Sequence, residues 1–273
     1  MPIVTTSDQT ELYVKDWGAG QPVVLIHGWP LNADSWETQA LGLAEAGYRV
    51  VSYDRRGFGR SGQPYTGYDY DTLSDDLAAV IDGLGLKDAA IAGFSMGGGE
   101  VSRYMSRHDG RGVVKAMLIS SIAPFMAKAD DNPDGVPDDV FSDMKAGLRE
   151  DRAGFLSGFF KGFYGRRTKG GGVSDPVLDW TWNMAMMASP KATLDCVDAF
   201  GKTDLRGDMD AFRVPTLVVH GTADQTVPID TSGRQAAKMI KDAEFKEYSG
   251  APHGLTATHA DRLTQDMLAF LKR

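Results

Sequence analysis

The chain has 273 residues, which is enough for one large domain with a sizeable core and for an insertion into it. Its 29 Lys and Arg residues stand against 37 Asp and Glu residues, so the net charge is −8. Because phosphate binding needs clustered basic side chains, this acidic balance argues against a nucleic-acid partner.

Strand-like and helical patterns alternate along the first part of the chain. Residues 3–17 indicate two strands around a polar turn, and the continuous apolar run Pro22–Ile26 is typical of a strand buried on both faces. Further strands are predicted at residues 48–53, 89–94 and 113–120, and helices at residues 72–84 and 95–107. This alternation predicts a mostly parallel sheet with helices on both faces.

The alternation stops between residues 123 and 213, where no convincing strand pattern occurs. Helical patterns with large apolar side chains take its place, and Phe155, Phe159 and Phe163 are spaced four apart. With Leu156, Phe160 and Tyr164 beside them, this apolar stripe is wider than one buried helix face requires. We therefore interpret residues 123–213 as a helical cap whose underside lines a cavity, with an ordinary set of core helices as the alternative.

The alternation resumes near the C-terminus. Residues 214–220 and 244–248 are predicted strands, and an amphipathic helix follows them. Eight strands are then predicted in all. The predicted α/β core comprises residues 1–122 and 214–273, with the cap inserted between them.

The strongest local signal is Gly93-Phe94-Ser95-Met96-Gly97, a G-x-S-x-G motif between a predicted strand and a predicted helix. A serine on so sharp a turn has strained backbone angles. Side chains at the flanking positions would collide, so glycine is needed there. Because the turn pushes the serine hydroxyl out above the sheet edge, we predict that Ser95 is a catalytic nucleophile.

A serine hydroxyl needs a base, and the base needs a carboxylate that orients it. His253 follows the last predicted strand and is the expected base. His220 ends the preceding strand and ranks second, because a structural role at a strand end suits it better. Asp224 lies just beyond that preceding strand and is the expected acid. The chain order Ser95, Asp224, His253 is the order of the triad in α/β-hydrolases.

The oxyanion of an acyl-transfer intermediate needs two hydrogen-bond donors. We expect one to be the backbone N–H of Met96, the residue after the nucleophile. The other is expected from the loop His27-Gly28-Trp29-Pro30, in which the Trp29 N–H is the candidate because Pro30 has none. His27 is expected to brace this loop.

Cys196 is the single cysteine, so no internal disulfide is expected, and a small buried role is expected for it. The first six residues lack the charged-then-apolar pattern of a signal peptide. No apolar run approaches the roughly 20 residues that span a bilayer. We therefore expect a cytoplasmic protein with no membrane partner. The pair Arg55-Arg56 is expected to be solvated loop charge.

Four segments spread over nearly the whole chain resemble one family, the cofactor-free (non-haem) haloperoxidases and arylesterases of the α/β-hydrolase fold. The run Phe-Ser-Met-Gly-Gly-Gly within them is quite specific to this family. The segments are His27–Asn32, Tyr53–Ser61, Gly93–Glu100 and Ala251–Gly254. Residues 126–134 depart from the pattern expected of the family.

The resemblance implies hydrolysis of small esters, often aryl esters, by a Ser-His-Asp triad with no metal, haem or other cofactor. Similar members also make peracids from a carboxylic acid and peroxide, some relatives open lactams, and members are commonly homo-oligomers. Members that form peracids tend to have Pro at the position of Pro30. This proline either turns the Trp29 carbonyl toward a bound peroxide or only stiffens the loop.

The sequence thus predicts a serine esterase for small esters, with peracid formation as a side activity. A lactamase or amidase on the same triad is one alternative. A non-catalytic ligand-binding homologue is another alternative, but the intact triad argues against it. We expect an apolar substrate pocket built from the following side chains: Trp29, Phe94, Phe125, Phe141, Phe159, Phe163 and Val227.

Overall fold

Eight strands form one sheet in the part of the chain that the computed structural model describes, residues 2–166 and 172–273. The strands are β1 (Ile3–Thr5), β2 (Glu11–Trp17), β3 (Pro22–Ile26), β4 (Arg49–Tyr53), β5 (Ala89–Phe94), β6 (Val113–Ile119), β7 (Thr216–Gly221) and β8 (Glu244–Tyr248). Their order across the sheet is β1-β2-β4-β3-β5-β6-β7-β8. Strand β2 is antiparallel to both its neighbours, and the other neighbouring pairs are parallel. The prediction of a mostly parallel, eight-stranded sheet is confirmed.

Helices cover both faces of this sheet. Those in the described ranges are α1 (Glu37–Glu45), α2 (Tyr70–Gly83), α3 (Met96–Arg107), α4 (Asp138–Phe163), α5 (Asp175–Met186), α6 (Pro190–Lys202), α7 (Gly233–Met239), α8 (Leu255–Thr258) and α9 (Ala260–Leu271). The chain crosses from β3 through α1 to β4 and returns through α2 to β5 on the other side of β3. Because such crossovers are right-handed, α1 and α2 lie on opposite faces. Helix α9 packs on α1, and α3 packs on α2.

Short-range hydrogen bonds set where several helices begin. The Asp69 side chain accepts a hydrogen bond from the Thr72 backbone N–H at 3.0 Å, so α2 begins two residues before the predicted position. At α6 the Ser189 hydroxyl caps the helix and Pro190 occupies its first position.

Three helices, α4, α5 and α6, occupy most of the chain between β6 and β7. Helix α4 is interrupted at Asp151, whose φ of −148° and ψ of 88° are not helical. No strand longer than an isolated bridge occurs between these two strands in the described residues. The division of the chain into a core and a cap stays a prediction. Helices α4, α5 and α6 lie within residues 123–213, the segment predicted to form the cap.

The central strand β5 is buried along its whole length, which explains its uninterrupted small and apolar side chains. It ends at Phe94, Ser95 follows directly, and α3 begins at the next residue. Across residues 2–166 and 172–273, none of the helices combines the length and the hydropathy that a membrane crossing requires.

Candidate active site

The turn between β5 and α3 holds Ser95 in a strained backbone conformation. Its φ of 54° and ψ of −118° lie outside the regions that side-chain-bearing residues ordinarily adopt. A Cβ at Gly93 would collide with the Gly97 carbonyl, and a Cβ at Gly97 would lie 2.5 Å from the Ile26 carbonyl oxygen. Glycine on both sides therefore lets the chain make this turn and aim the Ser95 side chain away from the sheet.

The hydroxyl of Ser95 lies at one end of a hydrogen-bonded chain of three side chains. Its Oγ is 2.9 Å from Nε2 of His253, and Nδ1 of the same imidazole is 2.6 Å from Oδ2 of Asp224. Ser95 follows β5, Asp224 follows β7 and His253 follows β8, so three strand ends bring them together. This arrangement can pass a proton from the hydroxyl to the imidazole while the carboxylate stabilises the resulting cation.

The carboxylate of Asp224 is buried and surrounded by donors. Its Oδ1 accepts hydrogen bonds from the backbone N–H groups of Thr226 at 2.9 Å and Val227 at 2.8 Å. Burial opposes ionisation, but the interaction with His253 and the hydrogen bond from His220 outweigh it and hold the pKa of Asp224 below its usual value. Asp224 is therefore ionised at neutral pH, as the orienting acid of a triad must be.

Two phenylalanine rings pack against the imidazole of His253. The Phe94 ring lies 5.2 Å from the imidazole centroid at a tilted angle, and the Phe163 ring lies 4.8 Å away edge-on. The imidazole is 1 % exposed. Phe94 therefore supports the histidine from within the core and does not line the cavity, so its assignment to the substrate pocket is wrong.

The loop that follows β3 approaches Ser95 closely. A Cβ at Gly28 would lie only 3.0 Å from the Ser95 Cβ, so only a glycine lets the loop come this near. Neither the Trp29 nor the Met96 backbone N–H has a protein acceptor among the described residues. The Trp29 indole N–H donates to the Thr193 carbonyl on α6 at 3.0 Å, which ties this loop to the inserted helices.

A buried ion pair connects the same loop to α3, the helix that follows Ser95. The Arg55 side chain donates to the Glu100 carboxylate on α3 through Nε at 2.5 Å and to the His27 carbonyl at 2.5 Å. The Arg55 backbone N–H donates to Nε2 of His27 at 2.9 Å. Burial and the Arg55 charge hold the pKa of His27 well below its usual value, so the imidazole stays neutral. Nδ1 of His27 lies 2.9 Å from the Gly28 carbonyl oxygen, so His27 contacts the loop that it was expected to brace.

The expectation that Arg55 and Arg56 are solvated is wrong. Arg55 is fully buried against Glu100, and Arg56 is 1 % exposed and bonds to Asp76 through Nε and Nη2, both at 2.6 Å. The sequence signal for their burial was their position just after the buried strand β4, because residues at the end of a buried strand lie inside the protein. Cys196 is also buried, as expected, and burial raises the pKa of its thiol, which makes it a poor nucleophile.

A mostly apolar cavity of about 540 Å³ opens onto Ser95 and His253. Of the side chains predicted for the pocket, Trp29, Phe141, Phe159, Phe163 and Val227 line it. Phe155, which belongs to the phenylalanine stripe of the predicted cap, also lines the cavity. Further lining side chains were not predicted from the sequence: Ile122, Met126, Val136, Val140, Met144 and Phe200. Met126 belongs to the segment that departs from the family pattern.

The prediction that Phe125 lines the pocket is also wrong. Its ring is half-buried and stacks on the Arg206 guanidinium, 5.0 Å from the ring centroid. The Asn132 side chain donates to the Phe125 carbonyl at 3.3 Å. Within the described ranges, no cluster of three or more His, Cys, Asp or Glu side chains could hold a metal ion.

Comparison with known proteins gives a consistent picture. The model of a family described as having the alpha/beta hydrolase fold matches residues 21–260. The chain is 46% identical to a non-heme chloroperoxidase of Kitasatospora aureofaciens and 42% identical to a bifunctional esterase/perhydrolase of Acinetobacter calcoaceticus, and both alignments cover all of each protein. The crystal structure of a bromoperoxidase from Bacillus anthracis is 44% identical, covers 100% of this chain and 99% of that one, and superposes with a TM-score of 0.95.

Proposed function

Because this chain belongs to the α/β-hydrolase family, and within it to the group of non-heme haloperoxidases and related esterases, we propose that it is a serine esterase that cleaves small carboxylic esters through an acyl-enzyme. The observation that carries the proposal is the hydrogen-bonded chain Ser95–His253–Asp224 at the end of an apolar cavity. Its chemistry is that of acyl transfer, since a hydroxyl, a base and an orienting carboxylate are joined in that order.

In the proposed mechanism the Ser95 Oγ attacks the ester carbonyl carbon while His253 Nε2 takes the hydroxyl proton. The negative charge on the carbonyl oxygen is stabilised by the backbone N–H groups of Trp29 and Met96, each contributing about 3 kcal/mol. The C–O bond to the alcohol then breaks, and His253 returns the proton to the leaving oxygen. Water attacks the acyl-enzyme by the same route, releasing the acid and restoring Ser95.

The cavity supports an ester with an apolar acyl or alcohol group. Aromatic and aliphatic side chains form most of its wall, and a volume of about 540 Å³ suits a small ligand. Close to the triad the wall also carries Gln225 and Thr226, which offer polar groups near the ester itself. An aryl ester fits this description because its ring packs well against phenylalanine rings.

We also propose peracid formation as a second activity. It is supported by the relative from Acinetobacter calcoaceticus, which is named an esterase/perhydrolase and matches this chain over its full length. In this reaction hydrogen peroxide replaces water as the nucleophile that attacks the acyl-enzyme, so a peracid leaves in place of the acid. His253 accepts the peroxide proton and passes it to Ser95.

We further propose a cytoplasmic location and a homo-oligomeric state. Light scattering would test the homo-oligomeric state.

Hydrolysis of p-nitrophenyl acetate by the wild-type protein and by Ser95→Ala tests the proposed function. We expect the variant to lose turnover while its circular dichroism spectrum and melting temperature stay unchanged. Parallel assays with acetate and peroxide should show peracid formation by the wild type and none by the variant. Retained hydrolysis in a folded Ser95→Ala variant would rule out Ser95 as the nucleophile. An inactive wild-type protein would rule out the proposed esterase activity.

A further inference from the structure

His220 is a fully buried histidine that the mechanism above leaves without a role. It lies near the carboxyl end of β7, four residues before Asp224. Its Nε2 is 3.2 Å from Oδ2 of Asp224 and 3.0 Å from the Val227 carbonyl oxygen. The oxygen that His220 approaches is the same Oδ2 that binds His253.

The surroundings of the ring determine which nitrogen carries the hydrogen. Both neighbours of Nε2 are acceptors, so this nitrogen must be the protonated one. On the other side, Nδ1 has no hydrogen-bond partner among the described residues, and a Cβ at Gly233 would lie 2.7 Å from it. A second proton on Nδ1 would bury an unpaired donor on a cation, which is costly. The ring is therefore placed to donate through Nε2.

We infer that His220 is a positioning residue, which shares its Nε2–H between the Asp224 carboxylate and the Val227 carbonyl and so fixes the acid of the triad relative to His253. The inference rests on the proposed function. Asp224 then has donors on both oxygens, from two backbone N–H groups at Oδ1 and from two imidazoles at Oδ2. The Val227 carbonyl is held as well, which closes the loop that bears Asp224.

The hydrogen bond from His220 has a second effect, because it offsets part of the negative charge on the Asp224 carboxylate. Without it the carboxylate would interact more strongly with the protonated form of His253, so the base would be lost at a higher pH. Among the described residues, the carboxylates that interact with His220 are Asp224 itself and Glu247, its register partner on β8. The Glu247 carboxylate is paired with Arg234 at 2.8 Å, and Gly233 contributes only backbone on the side of α7.

Two variants that carry the same amide group at different distances from Cα test the inference. In His220→Gln the amide Nε2 is as many bonds from Cα as the imidazole Nε2, so it can donate to Asp224 and Val227. In His220→Asn the amide Nδ2 takes the position of Nδ1, which faces Gly233. The measurements are kcat and KM for p-nitrophenyl acetate from pH 5 to 9 and the melting temperature of each variant.

We expect His220→Asn to lose between tenfold and a hundredfold in kcat, as for a misplaced catalytic group, with little change in KM. Its acidic limb of kcat/KM should move to higher pH, while His220→Gln keeps the wild-type limb and at least a third of the wild-type kcat. An equal loss of kcat in both variants, with the acidic limb of kcat/KM at its wild-type position, would overturn the inference. This holds even if both variants have lowered melting temperatures. Wild-type turnover reports separately on the esterase proposal, which fails only if that turnover is absent.

Discussion

Three glycines on one face of α4 provide the sharpest test of the cavity as the substrate site. Gly154, Gly158 and Gly162 are spaced four apart and all line the cavity. A Cβ at Gly158 would meet no heavy atom within 4 Å, so a side chain there would enter open space. Glycine inside a helix costs about 1 kcal/mol relative to alanine. Gly158→Ala should therefore raise the free energy of unfolding by about that amount and the melting temperature by about 2–4 °C.

The same position should control which esters are accepted. The side chain of Gly158→Val adds three carbons to the cavity and should displace about two methylenes of a long acyl chain. Each buried methylene contributes about 0.8 kcal/mol, so two contribute about 1.6 kcal/mol, or roughly 15-fold in kcat/KM. We expect the ratio of kcat/KM for p-nitrophenyl octanoate to that for the acetate to fall by this factor, with the acetate rate itself little changed.

Gly207 offers a matched control for this substitution. It lies in the 3₁₀ helix Arg206–Ala211, does not line the cavity, and a Cβ there would also meet nothing within 4 Å. Gly207→Val should leave the octanoate-to-acetate ratio at the wild-type value. If Gly158→Val also leaves the ratio unchanged, or lowers both rates equally, the reasoning that the ester chain lies along this face of α4 is refuted.

Two further predictions concern stability. Glu100→Leu leaves the Arg55 charge buried and unpaired, so urea unfolding should show a loss of about 3–5 kcal/mol; a change below 1 kcal/mol would contradict the assigned pairing. Burial alone would raise the pKa of Asp34, but hydrogen bonds from Lys15 and Arg60 outweigh it and lower that pKa. The contribution of Asp34 to the free energy of unfolding is therefore complete above the pKa of an aspartate in the unfolded chain, about 4. It is lost as the pH falls below that value. The wild type should lose more unfolding free energy between pH 5 and pH 3 than Asp34→Asn, and identical losses would refute this.

Much of the fold could be predicted because it depends on local patterns. Continuous apolar runs mark strands buried on both faces, and amphipathic runs between them mark the helices. The need for glycine at Gly93 is also local, since a Cβ there would collide with the Gly97 carbonyl of the same turn, whereas the collision at Gly97 is with the Ile26 carbonyl on β3. Loops that follow parallel strands share one edge of the sheet. This is why Asp224 and His253 could be predicted to lie near Ser95.

Side-chain partners distant in the chain could not be predicted in this way. The position of Arg55 after a buried strand indicates burial, but its partner Glu100 comes from helix α3, and no pattern around Arg55 predicts that pairing. Phe94 and Phe125 are as apolar as the phenylalanines that do line the cavity, yet one supports His253 and the other covers Arg206.

The sequence by itself determined the order of strands and helices, the strained serine turn and the sheet edge at which the chemistry is expected. Only the tertiary structure decided which buried charges pair, which aromatic rings face the cavity and which acceptors His220 meets. The reason is that backbone conformation responds mainly to nearby residues, whereas burial and hydrogen bonding depend on elements that pack together from far apart in the chain.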